Sequence, residues 1–394
     1  MTQIPRALAI MLLLLSAACG TTPAAPSSTA ANKPPPAAAT TPPSSSLAGS
    51  PARTPAVSTS PTTPVSAPAA TPYQAGPPLN PRVKVTLADI QSTSDGGFYL
   101  ALDKGYFEAE GLDVELVRFD TATAQVSALG TGQLDVGVGA LSAGLLNAVG
   151  RGIPIEIVAD RATLKNGALS FLVRKELIDS GQITSWADLR GRSVANNGNG
   201  TAAQLALRRG LATAGLTLQD IDQQLLPFPD MVAALGSGSI DMAVIIEPLA
   251  SAAIGRGFAV RWQRAMDVFP DLEISIVTYA DAFARNTEAA NRFMIAYLRG
   301  VREYHDGLFK GLPNRAEVVQ ALIDHTAIKD PAVYDRIEQS YVNPNGHVLP
   351  SNLKEQQREF GELGLLEGPP VDLDRVIDMS YVEHALRVLG PYQE

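Results

Sequence analysis

Residues 196–201, Asn-Asn-Gly-Asn-Gly-Thr, place three asparagines, two glycines and a threonine between a short apolar run and an Ala/Leu-rich stretch. Glycines let a backbone adopt positive φ and approach a ligand closely. Asparagine tolerates left-handed conformations and supplies both donors and acceptors. Thr201 stands where a helix would begin, with Ala203, Leu207, Leu211 and Ala214 as its buried stripe and Gly215 as its stop. The chemistry on offer is non-covalent capture of a polar group at a helix N-terminus. Gly198 to Ala203 also fits the G-x-G-x-x-A dinucleotide pattern, but the acid that should end the next strand is misplaced. Asp220 precedes the strand expected over 223–228, and Asp230 follows it too far on. No lysine makes it a P-loop. We therefore read Asn199, Gly200 and Thr201 as a ligand-binding loop in preference to a cofactor site or a plain turn.

Two further stretches have similar character. Thr93-Ser94-Asp95-Gly-Gly-Phe98-Tyr99 combines hydroxyls, a carboxylate, glycine and aromatics at a helix start. An ordinary helix cap followed by core aromatics is the alternative. Phe228-Pro-Asp230-Met231 is expected to end a strand. Enzyme signals are poor: His305, His325, His347 and His384 show no metal spacing, and Ala140 to Gly144 lacks the first glycine of a nucleophile elbow. No catalytic group, metal or cofactor is expected.

Alternating strand-like and helix-like segments must position these residues. Strands are expected over 83–88, 112–117, 134–138, 155–159, 168–174, 192–195, 223–228, 242–246 and 273–279. Helices are expected over 98–104, 122–129 and 288–309, the last with Met294, Tyr297, Leu298, Val301 and Tyr304 as a core stripe. The alternation argues for parallel α/β architecture. An internal repeat says more. Residues 126–138, VSALGTGQLDVGV, recur at 232–244 as VAALGSGSIDMAV. Each copy reads as helix, Gly-x-Gly turn and apolar strand, which implies two lobes with the same substructure. The loops after the repeated strands hold Ser142 in one copy and Glu247-Pro248 in the other, and ligands of open α/β sheets bind beyond such strand ends.

The chain has 394 residues and a sharply divided composition. Residues 1–19 carry Arg6, an apolar run too short to span a bilayer, small residues and Cys19, the sole cysteine. They resemble a bacterial lipoprotein signal ending at its lipidated cysteine, although Ser16 stands where leucine is usual. Residues 20–80, rich in Pro, Ala, Ser and Thr, are expected to be a disordered tether. The first 80 residues hold Arg6, Lys33 and Arg53 and no acid, so the remainder has 28 basic and 40 acidic residues, a charge that argues against nucleic acid.

The segments GYFEAEGLDVEL (105–116), LGTGQLDVGV (129–138), RGIPIEIV (151–158), ITSWADLRGRSV (183–194) and IIEPL (245–249) occur in an order that resembles one family. It comprises the solute-binding proteins of ABC importers for nitrate, sulfonate or taurine, and thiamine-pyrimidine precursors. The resemblance covers roughly Val83 to Tyr304. It implies an α/β type II periplasmic-binding-protein fold, two α/β lobes joined by two crossing strands, near Leu169–Arg174 and Ile274–Tyr279. Lobe 1 is then 81–180 and 280–394, and lobe 2 is 181–279. It also implies an extracytoplasmic, lipid-anchored monomer that feeds a membrane permease, and it brings Ser94, Tyr99, Ser142, Gly200, Thr201, Asp230 and Glu247 to the ligand. A sensory module without transport and the thiamine-pyrimidine synthase branch are the alternatives. The absence of cysteine after Cys19 argues against the second. The candidate loops hold Asp95, Asp230 and Glu247 but no cation, Arg161 being the nearest exception. That balance favours a neutral or amino-bearing organic ligand, such as a heteroaromatic stacked on Phe98, Tyr99 or Phe228.

Overall fold

The computed structural model describes residues 73–119 and 122–393. Cys19, the expected signal segment and most of the expected tether lie outside these residues. In chain order the strands are β1 (Val83–Asp89), β2 (Leu112–Arg118), β3 (Val136–Gly139), β4 (Ile155–Thr163), β5 (Leu169–Arg174), β6 (Ser193–Asn196), β7 (Asp222–Leu225), β8 (Met242–Ile246), β9 (Ala259–Arg264) and β10 (Glu273–Ala280). One sheet runs β2-β1-β3-β10-β4 and the other β7-β6-β8-β5-β9. The two orders correspond. In each sheet the first three strands are parallel and the fourth is antiparallel to both neighbours.

The sequence repeat is the reason for this correspondence. Helix α2 (Ala122–Thr131) leads to β3 as a later helix, Phe228–Ser237, leads to β8. Gly132 and Gly238, with φ of 71° and 76°, supply the left-handed turn between helix and strand. The repeated aspartate then binds the first strand of its lobe. Asp135 accepts from Thr86 N and Oγ1, both at 2.8 Å. Asp241 accepts from Ser193 N at 3.2 Å, and its own N–H donates to Ser193 O at 2.8 Å.

Sheet membership moves the expected lobe boundaries. β5, placed by sequence in lobe 1 (81–180), pairs in the second sheet. β10, placed in lobe 2 (181–279), pairs in the first. The chain therefore crosses at 164–168 and 265–272, just ahead of the two strands expected to form the crossings. The repeat marks matching strands but not the exchange of one strand between sheets. Residues 73–80, expected at the end of the tether, pack on lobe 1. Tyr73 OH donates to Glu110 at 2.8 Å, and Leu79 fits only because Gly111 has no side chain.

The helices that matter for the site are α1 (Gly96–Asp103), α3 (Ala143–Gly150), α4 (Ala202–Ala212), α5 (Phe228–Ser237), α6 (Leu249–Gly255), α7 (Thr287–Leu308) and α8 (Pro350–Glu362). The α7 stripe of Met294, Tyr297, Leu298, Val301 and Tyr304 is fully buried, as its 3.6-residue spacing requires. It packs on α1 so closely that a Cβ at Gly300 would lie 2.0 Å from Gly97 O. The C-terminal region was legible only as helical. In the structure Asn352 Oδ1 accepts from Glu273 N at 2.9 Å and Gln356 Nε2 donates to Glu273 O at 2.8 Å, so α8 is fastened to the start of β10.

Candidate functional site

Parallel β1 and β3 deliver their following loops to one edge of the first sheet. Parallel β6 and β8 do the same in the second. Ser142, the N-cap of α3, accepts from Leu145 N at 3.2 Å. Thr201, the N-cap of α4, accepts from Gln204 N at 3.3 Å. These two helix starts meet: Ala143 N donates to Gly200 O at 3.0 Å. Gly200 has φ 64°, and a Cβ there would lie 2.5 Å from that of Ala143. The approach of one lobe to the other thus depends on a residue without a side chain. The sequence-derived residues Ser142, Gly200 and Thr201 are brought together, one from the first lobe and two from the second.

The glycine loop is closed by its own side chains. Gly198 N donates to Asn196 Oδ1 at 2.9 Å, and Gly200 N to Gln204 Oε1 at 2.8 Å. Gln204 Nε2 donates to Asn199 Oδ1 at 2.8 Å. The Gly200 amide is thus engaged within the loop, and Asn199 is exposed. Asn196 escaped sequence reasoning. It is fully buried, its orientation is fixed by the Gly198 N–H, and its Nδ2 has no partner. A buried donor left unpaired is costly, so it is a strong candidate for ligand contact. The available signal was a polar residue closing an otherwise apolar strand.

In the loop after β1, Ser92 caps a short 3₁₀ turn, and its hydroxyl pairs with that of Ser94 at 2.8 Å. Asp95 does not stand free. Arg161 Nε donates to its Oδ1 at 2.7 Å and Nη2 lies 2.6 Å from the same oxygen, with both side chains buried. Arg161 is inside β4, which runs past the expected strand end at 159, and its Nη1 donates to Ser275 at 2.6 Å. Burial raises the Asp95 carboxyl above its ordinary value, and Arg161 opposes that rise.

Two expected ligand contacts, Tyr99 and Glu247, are engaged by partners within the protein. Tyr99 is core: fully buried, it donates to Asp89 at 2.7 Å and stacks on His325 at 4.6 Å. Burial pushes its hydroxyl well up. Phe98 likewise stacks on Tyr297 at 4.2 Å, so neither ring is available to a heteroaromatic ligand. Glu247 serves its own lobe. It accepts from Ser251 N and Oγ, both at 3.0 Å, and from Arg261. It caps α6, and Arg261 offsets its charge. Burial raises its carboxyl, with Ser251 and Arg261 opposing. Asp230 is exposed in the first turn of α5, which opens at Phe228 where the sequence places a strand end, and it stays a candidate contact. Neither Asp95 nor Glu247 thus presents an unbalanced negative charge.

A cavity of about 490 Å³ lies elsewhere, on lobe 1 among Tyr73, Glu110, Arg292 and His384. Among the described residues no cluster of three or more His, Cys, Asp or Glu side chains is arranged to hold a metal.

A Brucella abortus relative described in its name as a binding protein is 29% identical over 55% of this chain and 65% of its own length. The chain thus spans just under two thirds of that relative. The riboflavin-binding protein RibY of Chloroflexus aurantiacus is 26% identical over 62% of this chain and 68% of its own. Among solved structures, the periplasmic nitrate-binding protein NrtA of Synechocystis PCC 6803 matches with a TM-score of 0.66 and 17% identity, over 78% of this chain and 89% of that one. The desulfurization enzyme DSZB matches with 0.57 and 15%, over 78% and 99%. These likenesses show a shared fold, that of periplasmic binding proteins, on which an enzyme is also built. Residues 92–306, more than half of the sequence, match the family described as NMT1/THI5 like, and the chain belongs to that family.

Proposed function

We propose that this protein is the extracytoplasmic solute-binding component of an ABC importer. It captures a small molecule between its lobes, passes it to a membrane permease and catalyses no reaction itself. The observation that carries this reading is the meeting of the α3 and α4 starts at Ala143 and Gly200. Two duplicated lobes converge there on hydroxyl and amide groups, as a closing trap requires. Family membership and relatives named as binding proteins support it. Lipid anchoring at Cys19, on the strength of the sequence around it, and a monomeric state, on the strength of the family resemblance, complete the reading.

The ligand class shifts from the sequence expectation. Arg161 balances Asp95 and Arg261 balances Glu247. The groups left at the meeting point are the hydroxyls of Ser142 and Thr201, with the unpaired Asn196 amide at the end of β6. We infer a solute bearing hydrogen-bond acceptors, carbonyl or oxyanion. The test is a thermal-stabilisation screen of the full chain with riboflavin, nitrate and short alkanesulfonates, followed by calorimetry on each hit. A ligand at a hundredfold excess over its Kd should add about 2.7 kcal/mol of stability. A hit confined to amine-only compounds would overturn the ligand class. Binding unaffected by Ser142→Ala and Thr201→Ala together would overturn the placement.

A further inference from the structure

The helix that presents Gly200 and Thr201 to the other lobe is held from behind. On α4, Arg208 Nη1 contacts Glu359 at 2.7 Å and Nη2 contacts Glu362 at 2.7 Å. Arg209 Nε donates to Glu359 at 2.9 Å, and its Nη2 reaches both Glu355 and Glu359. The Arg209 guanidinium also lies 3.5 Å from the ring centre of Phe269, in the second crossing segment. The three glutamates belong to α8, which is tied to the first sheet through Glu273. Just beyond α8, Asn147 of α3 donates to Leu365 O at 3.0 Å and accepts from Glu367 N at 2.8 Å. The ion pairs therefore run between the two lobes. Arg209 sits about 12 Å along α4 from Thr201, and a helix of that length transmits position as a rigid rod.

We propose that Arg208 and Arg209 are positioning residues of the solute site, clasped by Glu355, Glu359 and Glu362 so that α4 holds its N-terminus against α3 and the closed arrangement of the lobes is favoured. This rests on the reading that a solute binds between the lobes. Exposed ion pairs alone would contribute little. Glu359 is different: its side chain is 3% exposed and two arginines converge on it, so removing them leaves a buried charge uncompensated. An equilibrium between open and closed lobes responds to such a loss in proportion to the difference between the two states.

Hydrogen exchange of the full chain without added solute tests this. In Arg208→Gln/Arg209→Gln, amides of 139–146 and 197–205 should exchange about tenfold faster, while those of β1 and β5 keep their rates. Arg208→Lys/Arg209→Lys should restore part of the protection. High salt should speed the same segments in the native protein but not in the glutamine variant. Should the double variant fold poorly, Arg209→Gln alone, which leaves Arg208 on Glu359, should speed exchange of the same segments by a smaller factor, read beside the salt series on the native protein. Unchanged exchange at 139–146 would overturn the proposal, as would a rise confined to α4 and α8 or one spread evenly over the chain. The solute reading is judged separately: native protein that shows this pattern yet binds nothing in the screen would sink that reading and leave the clasp standing.

Discussion

The Glu247 carboxylate closes β8 just before Pro248 and is held by Arg261 of β9, and only β5 between them brings those two strands together. Glu247→Gln should lower unfolding stability by about 1–3 kcal/mol, since a charge-assisted bond to Arg261 is weakened. Affinity for a solute should stay within about twofold, a loss too small to reflect a lost ligand bond. Paired chemical denaturation and calorimetry check this, and a tenfold loss of affinity would return Glu247 to the site. Asp95 and Arg161 are likewise brought together across 66 positions. A second buried pair carries a pH dependence. Asp160 and Glu273 are both fully buried, and Asp160 accepts from Asn343 N at 2.6 Å. Burial, then the Asp160 charge, pushes Glu273 well above its ordinary value. Burial also raises Asp160. A carboxyl raised on folding binds its proton more tightly in the folded state. Its contribution is full below the ordinary carboxylate range and is lost as pH rises towards the folded value. Glu273→Gln, which can still accept from Leu349 N, should flatten the fall of stability with rising pH over that window. A pH profile of melting parallel to the native one would contradict a raised Glu273 carboxyl.

At the scale of elements, periodicity did most of the work. The α7 stripe and the strands β1, β2, β5, β8 and β10 fall within a few residues of where their patterns place them. The misplacements have local causes. α5 opens at Phe228 with Pro229 in its first turn, which suits proline, so β7 ends at Leu225, short of the expected strand end. β4 runs past 159 through polar Asp160 and Arg161, which the apolar pattern could not include. Close packing of elements was invisible. Gly210 of α4 stands under Trp186, whose ring would lie 2.1 Å from an added Cβ, and Gly300 abuts Gly97. Gly300→Ala should therefore cost about 1–3 kcal/mol or more by forcing α7 off α1, despite alanine's better helix propensity. Chemical denaturation measures it, and a stabilised variant would mean that the helices separate freely.

For the whole molecule, the repeat made two lobes legible and the family segments made their order legible. The exchange of β5 and β10 between sheets was not, nor was the use of the C-terminal helix α8 as a bridge between lobes. Such features join residues from 69 to 154 positions apart, where no pattern of local spacing reaches. The central claim is that a solute is held where the lobes meet, and Gly200 is its most exposed point. Gly200→Ala places a methyl 2.5 Å from the Ala143 side chain, at φ 64°, without entering the core of either lobe. The decisive measurement is calorimetric titration of native protein and Gly200→Ala with the best solute from the screen, alongside thermal melting of both without solute. The expected result is at least about tenfold weaker binding, roughly 1.4 kcal/mol, with only a modest loss in melting temperature. Equal affinity in the two proteins would contradict a site closed by the approach of Gly200 to Ala143.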